Sequence, residues 1–178
     1  MASTFMNIYS QQGKLPVWHL DGNETDCMVG VHSVPIIVDA ALKGVEGVDP
    51  RRALAEVKKF AQQPVPDGGL EYIDSLGYLP ADKVNWSVSR ALEYCIDDDA
   101  VARLASALGD EQTAEYYAAR AKNYRHYFDP VTGYMRGFLM AHSASLMIHR
   151  SRCMRRLTMW KATDGNIHGL FPMIHTDL

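Results

Sequence analysis

No uninterrupted apolar run approaches the roughly 20 residues that a helix needs to cross a bilayer, so the sequence marks no membrane span. Cysteine is scarce: Cys27, Cys95 and Cys153 share no metal-type spacing, and their odd number argues against a disulfide framework and against a zinc site. Positive charge is short as well. The 18 Lys and Arg stand against 21 Asp and Glu, a net charge of −3, which excludes a generally basic nucleic-acid binder. Met1-Ala2-Ser3-Thr4 has no basic region leading into an apolar stretch, so no signal peptide is visible, and taken alone the chain points no further than a cytoplasmic default. There is no βαβ alternation, no glycine-rich phosphate loop and no Ser/His/Asp or Cys/His set at a specific spacing.

What is present is enough for a core. At 47% hydrophobic and 22% charged, the 178 residues suit one packed domain or part of a larger one. Acidic residues, however, are unevenly spread. Residues 138–178 hold only Asp164 and Asp177 against Arg150, Arg152, Arg155, Arg156 and Lys161, a balance of +3, which leaves −6 for the first 137 residues. The same tail carries four of the seven histidines and five of the nine methionines, so composition changes near Gly137. A basic interaction arm is the plain reading of such a tail.

The first 137 residues read as helices joined by short turns. Helical spacing predicts a helix over 2–12 closed by Gly13, then an extended arm over 14–18, because Pro16 has no amide proton to donate. A second helix is expected from about Asn23 to Lys43, ended by Gly44 and kinked at Pro35. Asp49 as cap and Pro50 at the first position start a third, reaching Gln62. After a loop over 64–69 and a short helix over 70–76, Ser87 is expected to cap a helix that ends at Gly109. A last helix spans about 111–128, with Tyr116, Tyr117, Tyr124 and Tyr127 as core and rim aromatics, before a turn over Asp129–Gly133. The fold class is all-α, and the tail 138–178 is irregular, without a convincing period.

Chemistry-bearing residues cluster in two places. Trp18-His19-Leu20-Asp21-Gly22-Asn23-Glu24-Thr25-Asp26 delivers an aromatic and several polar groups to an expected helix N-terminus. Trp18 there suits stacking on a sugar or ring face, and Glu24 and Asp26 suit the helix dipole. The plainer reading is a capping cluster, with Asn23 as cap and Trp18 packed inside. His32, on the same expected helix, is either a ligand contact or a satisfied core histidine. In the second place, Trp86 precedes a helix on which Glu93 and Asp97 stand i,i+4 and share a face, fit to share a proton or hold a cation. Asp98 and Asp99 read as a solvated acidic face, since they lack the spacing of an EF-hand loop.

These residues also carry a resemblance. Leu15-Pro16-Val17-Trp18, Gly22-Asn23-Glu24-Thr25-Asp26-Cys27-Met28, His32 and Val34-Pro35-Ile36-Ile37-Val38-Asp39-Ala40 closely resemble glycoside hydrolase family 92. So do Leu76-Gly77-Tyr78-Leu79-Pro80-Ala81-Asp82-Lys83, Leu92-Glu93-Tyr94 and Thr132-Gly133-Tyr134-Met135-Arg136-Gly137, and the likeness spans essentially 1–137. The resemblance implies a piece of an (α/α)6 toroid from a calcium-dependent exo-α-mannosidase. Such an enzyme is secreted or periplasmic, acts on mannose-containing glycans, and inverts configuration with a glutamic acid as general acid and an aspartate as general base. It further implies pocket-lining roles for Trp18, Asn23, Glu24, Asp26, His32, Trp86 and Glu93. The catalytic acid, the base and the calcium ligands are expected to be absent, so the chain itself is expected to be inactive. An incomplete toroid is also expected to expose apolar faces and self-associate, with no nucleic-acid or membrane partner. Met1 falls inside a family helix, so an N-terminal β-rich domain is expected to be missing. The alternative is a stand-alone helical binding or scaffold module with a basic tail.

Family members follow the Met-Arg-Gly block with a stretch resembling Glu-Gly-Asn-Ala-Trp-Gln-Tyr-Thr-Trp-Phe-Val-Pro-His-Asp. Read from the third base of each codon, Met159 and Trp160 force Val and Glu, and Met173 forces Asp. The intervening codons permit Gly-Asn, Trp-Gln-Tyr and Val-Pro-His in order. The tail is therefore expected to be that stretch in the wrong frame, the shift falling just after Gly137.

Overall fold

The computed structural model describes residues 1–61 and 68–140. The opening helix α1 (Ala2–Gln12) stops where Gly13 turns left-handed and donates its N–H to the Tyr9 carbonyl at 2.7 Å. Helices α2 (Ser33–Leu42), α3 (Pro50–Ala61), α4 (Leu70–Leu76), α5 (Ser87–Ala107) and α6 (Glu111–Ala121) follow, and a 3₁₀ turn covers Lys122–Tyr127. Two hairpins of two-residue strands complete the described fold: β1 (His19–Leu20) pairs with β2 (Asn23–Glu24), and β3 (Phe128–Asp129) with β4 (Tyr134–Met135), both antiparallel. The chain is helical, as expected for part of an (α/α)6 toroid. No described helix is long and apolar enough to cross a membrane.

Helix starts follow local chemistry where a cap is present. Asp49 accepts the Arg52 N–H at 2.6 Å ahead of Pro50, and Asp110 accepts the Thr113 N–H at 3.2 Å ahead of Glu111. Helix α5 departs from the expected pattern. Ser87 is its first residue rather than its cap, its Oγ is buried without a described partner, and Trp86 in the cap position is left-handed at φ 54°. The last helix also ends early. It tightens into the 3₁₀ turn at Lys122, and Phe128 leaves it to pair with Met135.

Two cores share α5, one drawing on residues 100–105 and the other on Ala91 and Tyr94. One gathers Met6, Leu15, Val34, Ile37, Val57 and Val101 under α1, α2 and α3; the other gathers Leu70, Ile73, Leu79, Ala91 and Tyr127. Tyr127 is fully buried, and its hydroxyl accepts the Leu79 N–H at 2.6 Å. Phe138 joins this second core. Its ring centroid lies 5.7 Å from that of Tyr78 and its carbonyl accepts the Ala81 N–H at 2.7 Å. The start of the expected irregular tail is thus docked: Met140 N–H also donates to Asp82 at 2.7 Å. The rest of the tail, the shifted-frame stretch included, lies outside the described residues.

Candidate functional site

The expected helix from Asn23 does not form. Residues 19–24 make a hairpin instead, 25–32 are irregular, and α2 begins only at Ser33. Pro35 then sits in the first turn, where a missing N–H costs no intrahelical bond and no kink is needed. The capping reading therefore fails for this segment: Asn23 lies exposed in β2, and Trp18 is 44% exposed rather than packed inside.

Glu24 shows why the hairpin is preferred. Its carboxylate accepts N–H groups from Val17 at 2.7 Å, Trp18 at 2.8 Å and Asp26 at 2.9 Å, bonds that fold the arm back on itself. Burial alone would raise its pKa, but these three donors and the neighbouring His19 outweigh burial and hold it below the ordinary carboxylate value. Asp26, left-handed at φ 50°, pairs with Lys14 at 2.6 Å. Trp18, Asn23, Glu24 and Asp26 are thus brought together on one small hairpin and its flank.

His32 and Glu93 meet across the fold. His32 occupies the position before α2, and its Nδ1 lies 3.8 Å from Glu93 Oε2 on α5, both side chains partly open to solvent. Burial raises the Glu93 pKa while His32 opposes the rise. One turn along α5, the buried Asp97 accepts the Val31 N–H at 2.9 Å. The i,i+4 carboxylates therefore do share a face, and the 30–32 segment packs against it. Trp86 precedes the helix that carries Glu93, with Arg90 5.7 Å from its ring and 45% of its surface exposed.

Asp98 corrects the sequence reading most sharply. It is 3% exposed, and its carboxylate takes two bonds from the buried Arg120, at 2.8 and 2.7 Å. Burial raises its pKa against the pull of that guanidinium. Arg120 also reaches Asp74 at 3.1 Å and lies 4.9 Å from the Tyr117 ring. A signal existed: Asp98 and Arg120 are equidistant from Gly109, and residues equidistant from the turn of an antiparallel helical hairpin face each other. Asp99 is the solvated member, bonded to Arg103 at 2.6 Å. A cleft of about 460 Å³ between Arg51, Lys58, Lys59 and Leu108 contains none of the candidate residues.

The sequence matches the glycosyl hydrolase family 92 catalytic domain over residues 1–144. The chain belongs to glycoside hydrolase family 92. Among relatives, it is 30% identical over 138 residues to a protein of Arthroderma benhamiae named an uncharacterized secreted glycosidase. That match covers 69% of this chain and 18% of the relative. Among solved structures, a family GH92 alpha-mannosidase of Bacteroides thetaiotaomicron superposes with a TM-score of 0.71 at 39% identity, over 76% of this chain and 18% of the other; it was also solved with mannoimidazole. A family GH92 inverting mannosidase of Bacteroides thetaiotaomicron gives 0.75 at 32% identity, over 85% and 21%. The chain thus spans about a fifth of the length of these family 92 proteins.

Proposed function

We propose that this chain is part of the catalytic domain of a secreted exo-α-mannosidase that removes terminal mannose from glycans with inversion. The family match over 1–144 carries this reading, and the mannosidase neighbours, one of them with mannoimidazole bound, support the sugar. An inverting glycosidase needs one carboxylic acid to protonate the leaving oxygen and a carboxylate to activate water on the opposite ring face. We assign neither role to a residue of this chain. Trp18, Asn23, Asp26, His32, Trp86 and Glu93 are proposed as groups lining the sugar pocket, with the half-open His32–Glu93 pair as a polar contact.

Calcium in the parent enzyme would help distort the mannose ring. It takes about six to eight oxygen ligands. No group of three or more His, Cys, Asp or Glu among the described residues is placed to hold a metal ion. Of the carboxylates at and beside the candidate positions, Glu24 accepts backbone N–H groups, Asp26 pairs with Lys14, Asp97 accepts the Val31 N–H and Glu93 faces His32. The described donor set does not fit calcium, and no step is derived through it.

The general acid, the general base and the calcium ligands are proposed not to be among these residues as read, and the chain is proposed to be inactive, since losing a general acid alone costs roughly 10²–10⁴-fold. Self-association is proposed through exposed apolar side chains, Ile36, Leu42 and Val45 among them. We also propose that the tail 138–178 is read out of frame; residues 145–178 lie beyond the family match. Sequencing the coding DNA from Tyr134 onward tests this: Glu-Gly-Asn, Trp-Gln-Tyr and Pro-His-Asp in an open shifted frame are expected, and a blocked or unrelated frame overturns it. The function is tested on the frame-restored parent, with calcium-dependent release of mannose from α-mannosides expected. A parent that releases no mannose from any α-linkage overturns the reading.

A further inference from the structure

Trp18 combines an exposed ring with a backbone that is tied at both ends. Its N–H donates to Glu24 Oε1 at 2.8 Å, and its carbonyl accepts both the Thr25 N–H at 3.1 Å and the Thr25 hydroxyl at 2.7 Å. The preceding side chains hold the arm from below, with Leu15 fully buried and Val17 7% exposed. The pairing of His19 with Glu24 closes the hairpin immediately after it. A flexible arm would not need four such restraints to leave a tryptophan in water.

The Glu24 carboxylate is itself largely covered, 14% exposed, and both of its oxygens are occupied by backbone N–H groups. It is badly placed to greet a ligand and well placed to hold the residue that does. A large aromatic face carried on an ordered backbone suits the C–H face of a pyranose ring, and prior ordering of that backbone removes part of the entropy cost of binding. We propose that Trp18 is a preorganised stacking platform for a pyranoside, and that Glu24 and Thr25 are positioning residues that fix it through its backbone rather than contacting the sugar. The choice of a mannoside as that pyranoside rests on the function proposed above.

The test titrates methyl α-mannopyranoside, and separately methyl β-glucopyranoside, into the full 178-residue chain. The Trp18 indole N–H resonance is followed by NMR and identified by its loss in Trp18→Phe. A shift of that resonance with mannoside is expected, and mannoside binding followed by calorimetry is expected to weaken at least tenfold in Trp18→Ala. Glu24→Gln and Thr25→Val are expected to melt close to the parent chain yet bind several-fold more weakly, with a more mobile indole; Thr25→Ser, which keeps the hydroxyl, is expected to restore both. A shift with glucoside alone keeps the platform and removes the mannoside assignment. No shift with either sugar overturns the platform, whatever the frame-restored parent hydrolyses. Unchanged affinity and indole mobility in both Glu24→Gln and Thr25→Val overturn the positioning roles.

Discussion

Gly30 lies against Glu93 so closely that a methyl group on its Cα would stand 2.6 Å from the Glu93 Cβ. The neighbouring backbone group, Val31 N–H, is held by Asp97 one turn further along α5. Close packing at Glu93 and a hydrogen bond at Asp97 therefore seat the 30–32 segment on the helix, and this seating brings His32 to Glu93.

Gly30→Ala is expected to be costly for two reasons. Its φ of 75° disfavours any L side chain, and the obstructing atom is a helix-borne Cβ that cannot rotate away. Strain and overpacking together predict a loss of about 2–4 kcal/mol, measured by urea denaturation. Gly44→Ala makes the comparison, since φ there is 65° but nothing lies within 4 Å of the added methyl group. Equal losses at both sites would show that Glu93 does not matter.

Asp97 is buried beside a cavity of about 20 Å³ lined also by Val31, Phe60, Tyr94 and Arg120. Burial pushes its pKa well above the ordinary value, against the pull of the Val31 N–H. A carboxyl whose native pKa exceeds its unfolded one favours the fold most at low pH, and that advantage drains as pH rises toward the native value. Asp97→Asn keeps an oxygen for Val31 and removes the charge. Its melting temperature is expected to exceed that of the parent chain at pH 8, by a margin that narrows at pH 5.

Asp129 has the opposite sign. Arg136 at 2.6 Å, the Thr132 hydroxyl at 2.7 Å and the Val131 N–H at 3.0 Å hold its pKa down to about 2. Its contribution is present above the ordinary value of 3.8 and is lost as pH falls through about 2. Asp129→Asn is expected to lower stability at pH 5–7 and to converge with the parent chain as pH falls from 4 to 2. Melts recorded across that interval check it, and a constant gap would refute it.

Arg120 is the partner on which the burial of Asp98 depends. Arg120→Met leaves that carboxylate buried and unpaired, at an expected cost of about 3–5 kcal/mol. Adding Asp98→Leu removes the stranded charge, so the double variant is expected to recover much of the loss. Chemical denaturation of the two single variants and the double variant measures the coupling. Additive losses would mean that the pair is not a unit.

Much of the helical frame was legible in the sequence because its signals act within a few residues. Gly13 and Gly77 end α1 and α4, Asp49 and Pro50 begin α3, and Asp129–Gly133 turns the last hairpin, each as local rules for left-handed glycine, capping and turns require. The motif blocks from Leu15 to Gly137 likewise carried the family, since they are patterns of identity rather than of contact. What those rules missed involves partners beyond the local window. A helix from Asn23 looked favourable until the Glu24 carboxylate could reach Val17 and Trp18 across a folded arm. Asp98 looked solvated until Arg120, 22 residues on, came to lie beside it, and Asp97 looked like half of a cation site until Val31, 66 residues away, took its oxygen. The sequence by itself determined where α1, α2, α4 and α5 end and which family the chain joins. Only the tertiary structure decided which carboxylates are desolvated and by whom they are paired, because burial and ion pairing belong to the packed surroundings of a group and not to its neighbours along the chain.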